Sequence, residues 1–99
     1  MLHRKDTEHF IGKEIMLSRI RRGALIPEKV NEEHFWLLIS ISSIHSEKVI
    51  QALRDYLVLG TSRKDVCERY DVNNGYFSTS LKRLQRISQI AAQMVIYYS

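Results

Sequence analysis

Between Ser62 and Leu84 the chain carries two short apolar stripes at helical spacing, each preceded by a capping residue and separated by a break of about two residues. No other stretch constrains the fold as much, because the pattern asks for two short helices packed across a tight turn, a helix-turn-helix. Ser62 is placed to cap a helix from about Arg63 to Tyr70, whose inner stripe is Val66, Cys67 and Tyr70. Cys67 supplies a small side chain where the two helices must approach. Asp71 and Val72 make the turn, with Val72 as the apolar plug beneath it. Many such turns have Gly at the position of Asp71, where the backbone is left-handed; Asp tolerates that region better than most residues. Asn73 can cap the second helix through its side-chain oxygen. Phe77, Leu81 and Leu84 recur at i, i+4 and i+7 and form its inner face. The outer face is Asn74, Tyr76, Ser78, Thr79, Lys82, Arg83 and Arg86. These side chains can hydrogen-bond base edges or phosphates, and no acid lies among them.

The charge distribution points the same way. The net charge is +4, yet residues 1–71 hold twelve Lys and Arg against eleven acids. From Val72 to Ser99 there are Lys82, Arg83 and Arg86 and no Asp or Glu. The excess positive charge is therefore concentrated on the second helix of the motif, as an anionic polymer would select. A solvated face on a mildly basic protein is the plainer reading of the same three charges.

Elsewhere the pattern is also helical. Residues 1–8 are polar, carry both signs of charge and are expected as a mobile arm. Residues 9–22 carry Phe10, Ile11, Ile15, Met16, Leu17 and Ile20 at roughly helical spacing, with Arg21 and Arg22 where they complement a helix C-terminus. Gly23 to Val30, with Pro27, reads as a connector. Asn31 caps the next helix, and Glu32 and Glu33 occupy its first turn. Its body, Phe35, Trp36, Leu37, Leu38 and Ile39, is apolar in every direction. Such a helix is either the centre of the monomer core or is covered by a second subunit. Ser46 caps a helix from Glu47 to Leu59 with the stripe Val49, Ile50, Leu53, Tyr56 and Leu57, and Gly60 ends it. After Leu84 the stripe continues through Ile87, Ile90, Ala91, Met94 and Val95. The last helix thus runs on to about Ile96 or breaks near Ser88. With no strand signal, the fold class is all-α: a compact bundle of about five helices, with the helix-turn-helix at about 62–87 inside one domain spanning 9–99.

Catalytic and metal chemistry find little support. His3, His9, His34 and His45 show no ligand spacing with one another or with Cys67. A lone Cys67 on an inward stripe reads as a small packing residue. It also gives no intrachain disulfide, hence no sign of an oxidising compartment. There is no phosphate-binding Gly-rich loop, no legible catalytic constellation, and no apolar run fit for a signal peptide or a membrane span. A soluble, cytoplasmic, non-enzymatic chain without metal or cofactor is the expectation.

The runs His-Phe-Trp-Leu-Leu-Ile-Ser-Ile-Ser-Ser-Ile-His-Ser (34–46), Asp-Tyr-Leu-Val (55–58), Ser-Arg-Lys-Asp-Val-Cys-Glu-Arg-Tyr (62–70) and Asn-Asn-Gly-Tyr-Phe-Ser-Thr (73–79) resemble the PapB/FocB family of fimbrial-operon transcription regulators. The resemblance covers about residues 31–98, while the first thirty match poorly. It implies a small all-helical protein that binds AT-rich double-stranded DNA in fimbrial control regions on the bacterial nucleoid. It also implies roles in activation or repression and in phase variation, and assembly as dimers or larger oligomers. Minor-groove contact is implied too, which departs from the simplest major-groove reading of the motif. Arg63 and Cys67 are the matched positions it marks as important, together with Asn73, Asn74, Tyr76, Ser78 and Thr79.

The leading expectation is a sequence-selective transcription regulator. Asn74, Tyr76, Ser78 and Thr79 would read the bases, and Arg63, Lys64, Lys82 and Arg83 would hold phosphates. Phe35, Trp36, Leu37, Leu38 and Ile39 would form an oligomer interface. The competing readings are an interaction module, for example an anti-activator using that apolar helix, and a non-specific nucleoid-type binder.

Overall fold

A computed structural model describes residues 4–99, with side chains from Gly12 onward. Five α-helices follow one another: α1 (Arg4–Arg21), α2 (Glu32–Ser40), α3 (Glu47–Arg54), α4 (Arg63–Tyr70) and α5 (Asn74–Met94). A π-helical turn, Asp55–Leu59, prolongs α3, and a 3-10 turn, Val95–Tyr97, prolongs α5. The described residues contain no strand. Helix α1 begins earlier than its apolar stripe suggested and takes in residues 4–8 of the expected arm. Residues 1–3, and the side chains of Phe10 and Ile11, lie outside the described part.

Four helices start where a side chain satisfies the free backbone amides of the first turn. Asn31 accepts from His34 N, Ser46 from Val49 N and Ser62 from Asp65 N. Asn73 accepts from both Gly75 N and Tyr76 N, at 2.8 and 3.2 Å. Each such cap is worth about 0.5–2 kcal/mol relative to alanine. The stops are equally local. Gly60 closes the π turn at φ 78°, and Asp71 ends α4 at φ 54°, ψ 53°, in the left-handed region.

Helices α2 to α5 enclose the core. Phe35 and Leu38 enter it from α2, Val49, Ala52 and Leu53 from α3, Leu57 from the π turn, Val66 from α4, and Phe77 and Leu84 from α5. Val72 seals the turn between α4 and α5 and is 9% exposed. The apolar run of α2 is therefore divided. Phe35 and Leu38 belong to the monomer core, which corrects their expected place in an oligomer interface. Trp36 and Leu37 face outward beside Ile41, and Ile39 is half-buried. A helix of 3.6 residues per turn cannot turn five successive side chains toward one neighbour.

The π turn widens the helix at Asp55, whose backbone oxygen accepts from both Gly60 N and Thr61 N. Its carboxylate is buried, and it accepts from Arg54, Arg69 and the Tyr70 hydroxyl. This node ties the end of α3 to α4. Arg54 also pairs with Glu32 at 2.9 Å, linking α2 to the same network.

Helix α1 stands apart from that bundle. Ile15 and Leu17 are exposed, and the connector after its last turn is hydrogen-bonded to α5. Gln85 of α5 donates to Gly23 O at 2.7 Å and accepts from Leu25 N at 2.9 Å. Gly23 has φ 94°, and a Cβ there would fall 2.6 Å from Gln89 Cα. Only glycine allows the connector this close to α5.

Helix α5 is continuous through Ser88. Beyond it the stripe leaves the core: Ile90, Met94 and Val95 are exposed, as are Ile96, Tyr97 and Tyr98.

Candidate nucleic-acid interface

The site is built on the N-terminal half of α5, held in place by its inner face. Phe77 is fully buried, with Tyr56 packed on its ring at 5.4 Å between centroids. Leu84 is fully buried and Leu81 half-buried. With these side chains inward, Asn74, Tyr76, Thr79, Lys82, Arg83 and Arg86 are all exposed on the opposite side. The expected outer face thus forms one surface, free of carboxylates along α5. Tyr76 is 55% exposed, a large aromatic with its ring largely in solvent.

Four of the expected contact residues have work to do inside the protein. Asn73 is committed as a cap by its side-chain oxygen. Thr79 donates its hydroxyl to Gly75 O at 3.1 Å. Ser78 is half-buried and accepts from the Arg63 guanidinium of α4. Arg63 lies over the Phe77 ring, 5.1 Å from its centroid, a cation–π arrangement. Its Nε is buried and has no hydrogen-bond partner. Arg63 is therefore tucked between α4 and α5 rather than extended from the surface. The sequence pattern could not show this, because the partner Ser78 is set by how the two helices cross.

Lys64 is exposed on α4 and lines, with Arg63 and Asn74, a depression between α4 and the start of α5. Glu68 and Asp71 share that depression, so its electrostatics are mixed. Cys67 is half-buried against the core and also reaches the depression. Among the described residues no group of three or more His, Cys, Asp or Glu is placed to hold a metal ion.

Comparison with known proteins adds the decisive observation. Residues 6–98 match the family described as adhesin biosynthesis transcription regulatory protein, PapB. The chain belongs to the PapB family. A PapB relative from Escherichia coli, the regulatory protein of a major pilus subunit operon, is 57% identical over 83 residues, covering 84% of this chain and 80% of its own. The regulatory protein of the AFA-III adhesin operon, also from Escherichia coli, is 50% identical over 84 residues, covering 85% and 83%. The crystal structure of Escherichia coli FocB superposes with a TM-score of 0.73 at 53% identity, covering 88% of this chain and 99% of that one. The chain is a transcription regulator with the all-α fold of this family. The family match takes in α2 to α5 and most of α1, so it extends well into the N-terminal thirty residues that resembled the family least.

Proposed function

We propose that this PapB-family regulator controls a fimbrial adhesin operon by binding double-stranded control DNA, AT-rich and recognised by sequence, through the outer face of α5. The observation that carries the reading is the carboxylate-free surface of Asn74, Tyr76, Thr79, Lys82, Arg83 and Arg86 on one helix whose other side is locked in the core. Lys82, Arg83 and Arg86 would meet phosphates, with Lys64 beside them. Asn74, Tyr76 and Thr79 are the exposed groups for reading bases. Arg63 and Ser78 act at the junction of α4 and α5. The place of action is the nucleoid, in the cytoplasm. No helix among the described residues is long and apolar enough to cross a membrane.

Self-association is part of the proposal. Trp36, Leu37 and Ile41 form one exposed apolar group, and Met94, Val95, Ile96, Tyr97 and Tyr98 another. Exposed apolar side chains grouped in this way favour burial against a further copy, at roughly 25 cal/mol per Å² removed from water. Light scattering at micromolar concentration should give a mass above that of the monomer.

Gel-shift titration with AT-rich and GC-rich duplexes of equal length tests the DNA reading. Tighter binding to the AT-rich duplex is expected. Equal binding would favour a non-specific nucleoid-type role, and binding to neither would leave an interaction module. Replacing Lys82 and Arg83 with Ala should weaken binding to every sequence and reduce the salt slope by about two contacts, roughly 1.8 in log–log terms. An unchanged slope would place the basic surface elsewhere.

A further inference from the structure

The connector that follows α1 is hydrogen-bonded to α5 on a side that continues the reading face. Lys82, Gln85, Arg86 and Gln89 recur at i, i+3, i+4 and i+7, so they share one stripe of α5. Arg19 and Arg22 of the α1 end line an open cleft with Gln85 and Gln89. No carboxylate lines this cleft. Both arginines are exposed, and among the described residues neither is paired with an acid. Arg22 is braced by Ser18, whose hydroxyl accepts from its guanidinium at 2.8 Å and whose backbone oxygen also accepts from it. The cleft has fixed walls. Gln85 clamps Gly23 and Leu25, and the missing Cβ of Gly23 brings the connector onto the α5 backbone.

The geometry points to a second nucleic-acid contact: Arg19 and Arg22, set beside Gln85 and Gln89, bind backbone phosphates of the duplex that flank the segment contacted by α5. Two guanidiniums and the exposed Gln89 amide can donate to phosphate oxygens, while Gln85 holds the wall, and guanidinium forks fit phosphate bidentately. They carry no base-specific pattern of their own, so the contact adds affinity and orientation rather than sequence preference. It also gives the first thirty residues a part in binding. The clamp from Gln85 spans about sixty residues of chain and delivers the end of α1 to the DNA side of α5. This inference rests on the DNA-binding reading of α5.

The test uses the full chain and a duplex that the unaltered protein binds. Arg19→Ala/Arg22→Ala should lower the log–log salt slope by roughly 1.8, so the advantage of the wild type shrinks about twelvefold between 50 and 200 mM salt. The ratio of affinities for AT-rich and GC-rich duplexes should stay the same. Gln89→Glu, which puts a carboxylate in the cleft at an exposed position, should weaken binding with no change in helical circular dichroism. Lys13→Ala, on the same helix two turns earlier, should change the slope by less than either. A wild-type protein that binds, together with an unchanged slope in the double variant and an unaffected Gln89→Glu, overturns the second contact alone. A wild-type protein that binds no duplex overturns both this contact and the role of α5.

Discussion

Asp55→Asn is the most informative single substitution for the fold that carries the site. It preserves shape but replaces a buried carboxylate that accepts three hydrogen bonds, at 3.3 Å from Arg54, 3.1 Å from Arg69 and 2.6 Å from Tyr70. The amide has one acceptor oxygen and turns an NH2 group toward whichever donor lies on its other side. One donor is then faced by another donor, and the negative charge between two guanidiniums is gone. A hydrogen bond to a charged group is worth about 1.5–3 kcal/mol. Arg54 and Arg69 are 27% and 55% exposed at the side chain, so water re-solvates much of what they lose. The expected loss is therefore about 2 kcal/mol, close to the value of one charge-assisted bond. For a domain of this size that lowers Tm by about 8–16 °C. Thermal unfolding followed by helical circular dichroism at neutral pH reads it. Tyr70→Phe alone should lower Tm by less than Asp55→Asn, and the double variant should cost less than the two singles added, because the shared bond is lost once. A single variant melting within about 3 °C of the wild type, with strict additivity, would refute the argument. It would mean that apolar packing, not this buried node, holds α3 against α4.

The Tyr70 hydroxyl donates to Asp55, and this bond, with burial, holds its pKa above the ordinary value of 10.0. Its contribution to stability is whole below about pH 10 and is lost as pH rises through the raised folded value; Tyr70→Phe should flatten the alkaline fall in Tm. The Arg54 guanidinium holds Glu32 below its ordinary 4.5, so that pair helps above this pH and fades as acid protonates it in the folded chain; Glu32→Gln should blunt the acid limb of the Tm profile. Arg63→Ala should cost roughly 1 kcal/mol from the lost stacking on Phe77 and should also reduce DNA affinity. Arg63→Lys separates the causes: rescue of affinity by lysine would show that only charge matters, whereas failure would show that the guanidinium fork on Ser78 positions the helix. Cys67→Ala should destabilise by about 1 kcal/mol, and Cys67→Leu by more; rapid alkylation of folded protein that abolishes binding without unfolding would contradict a packing role.

Local hydrogen bonding was legible residue by residue. The caps Asn31, Ser46, Ser62 and Asn73 and the stop at Gly60 all lie where the sequence places them, because a cap acts on amides two or three residues away. The left-handed turn at Asp71, the inward stripe of Phe77 and Leu84, and the acid-free outer face of α5 are equally local. The sequence by itself therefore determined five helices, the tight turn between α4 and α5 and the polarity of the exposed side of α5. Other features were decided only when the helices docked. The buried Asp55 carboxylate finds partners in Arg69 and Tyr70, fourteen and fifteen residues on. The direction of Arg63 depends on Ser78, and the seat of the connector after α1 on Gln85. The division of the α2 run into buried Phe35 and Leu38 and exposed Trp36 and Leu37 depends on which side α5 approaches. Helical periodicity says which side chains share a face, but a run apolar on every face leaves the choice open. The neighbour that covers one face is supplied by chain far away in sequence, and only the packed structure brings it there.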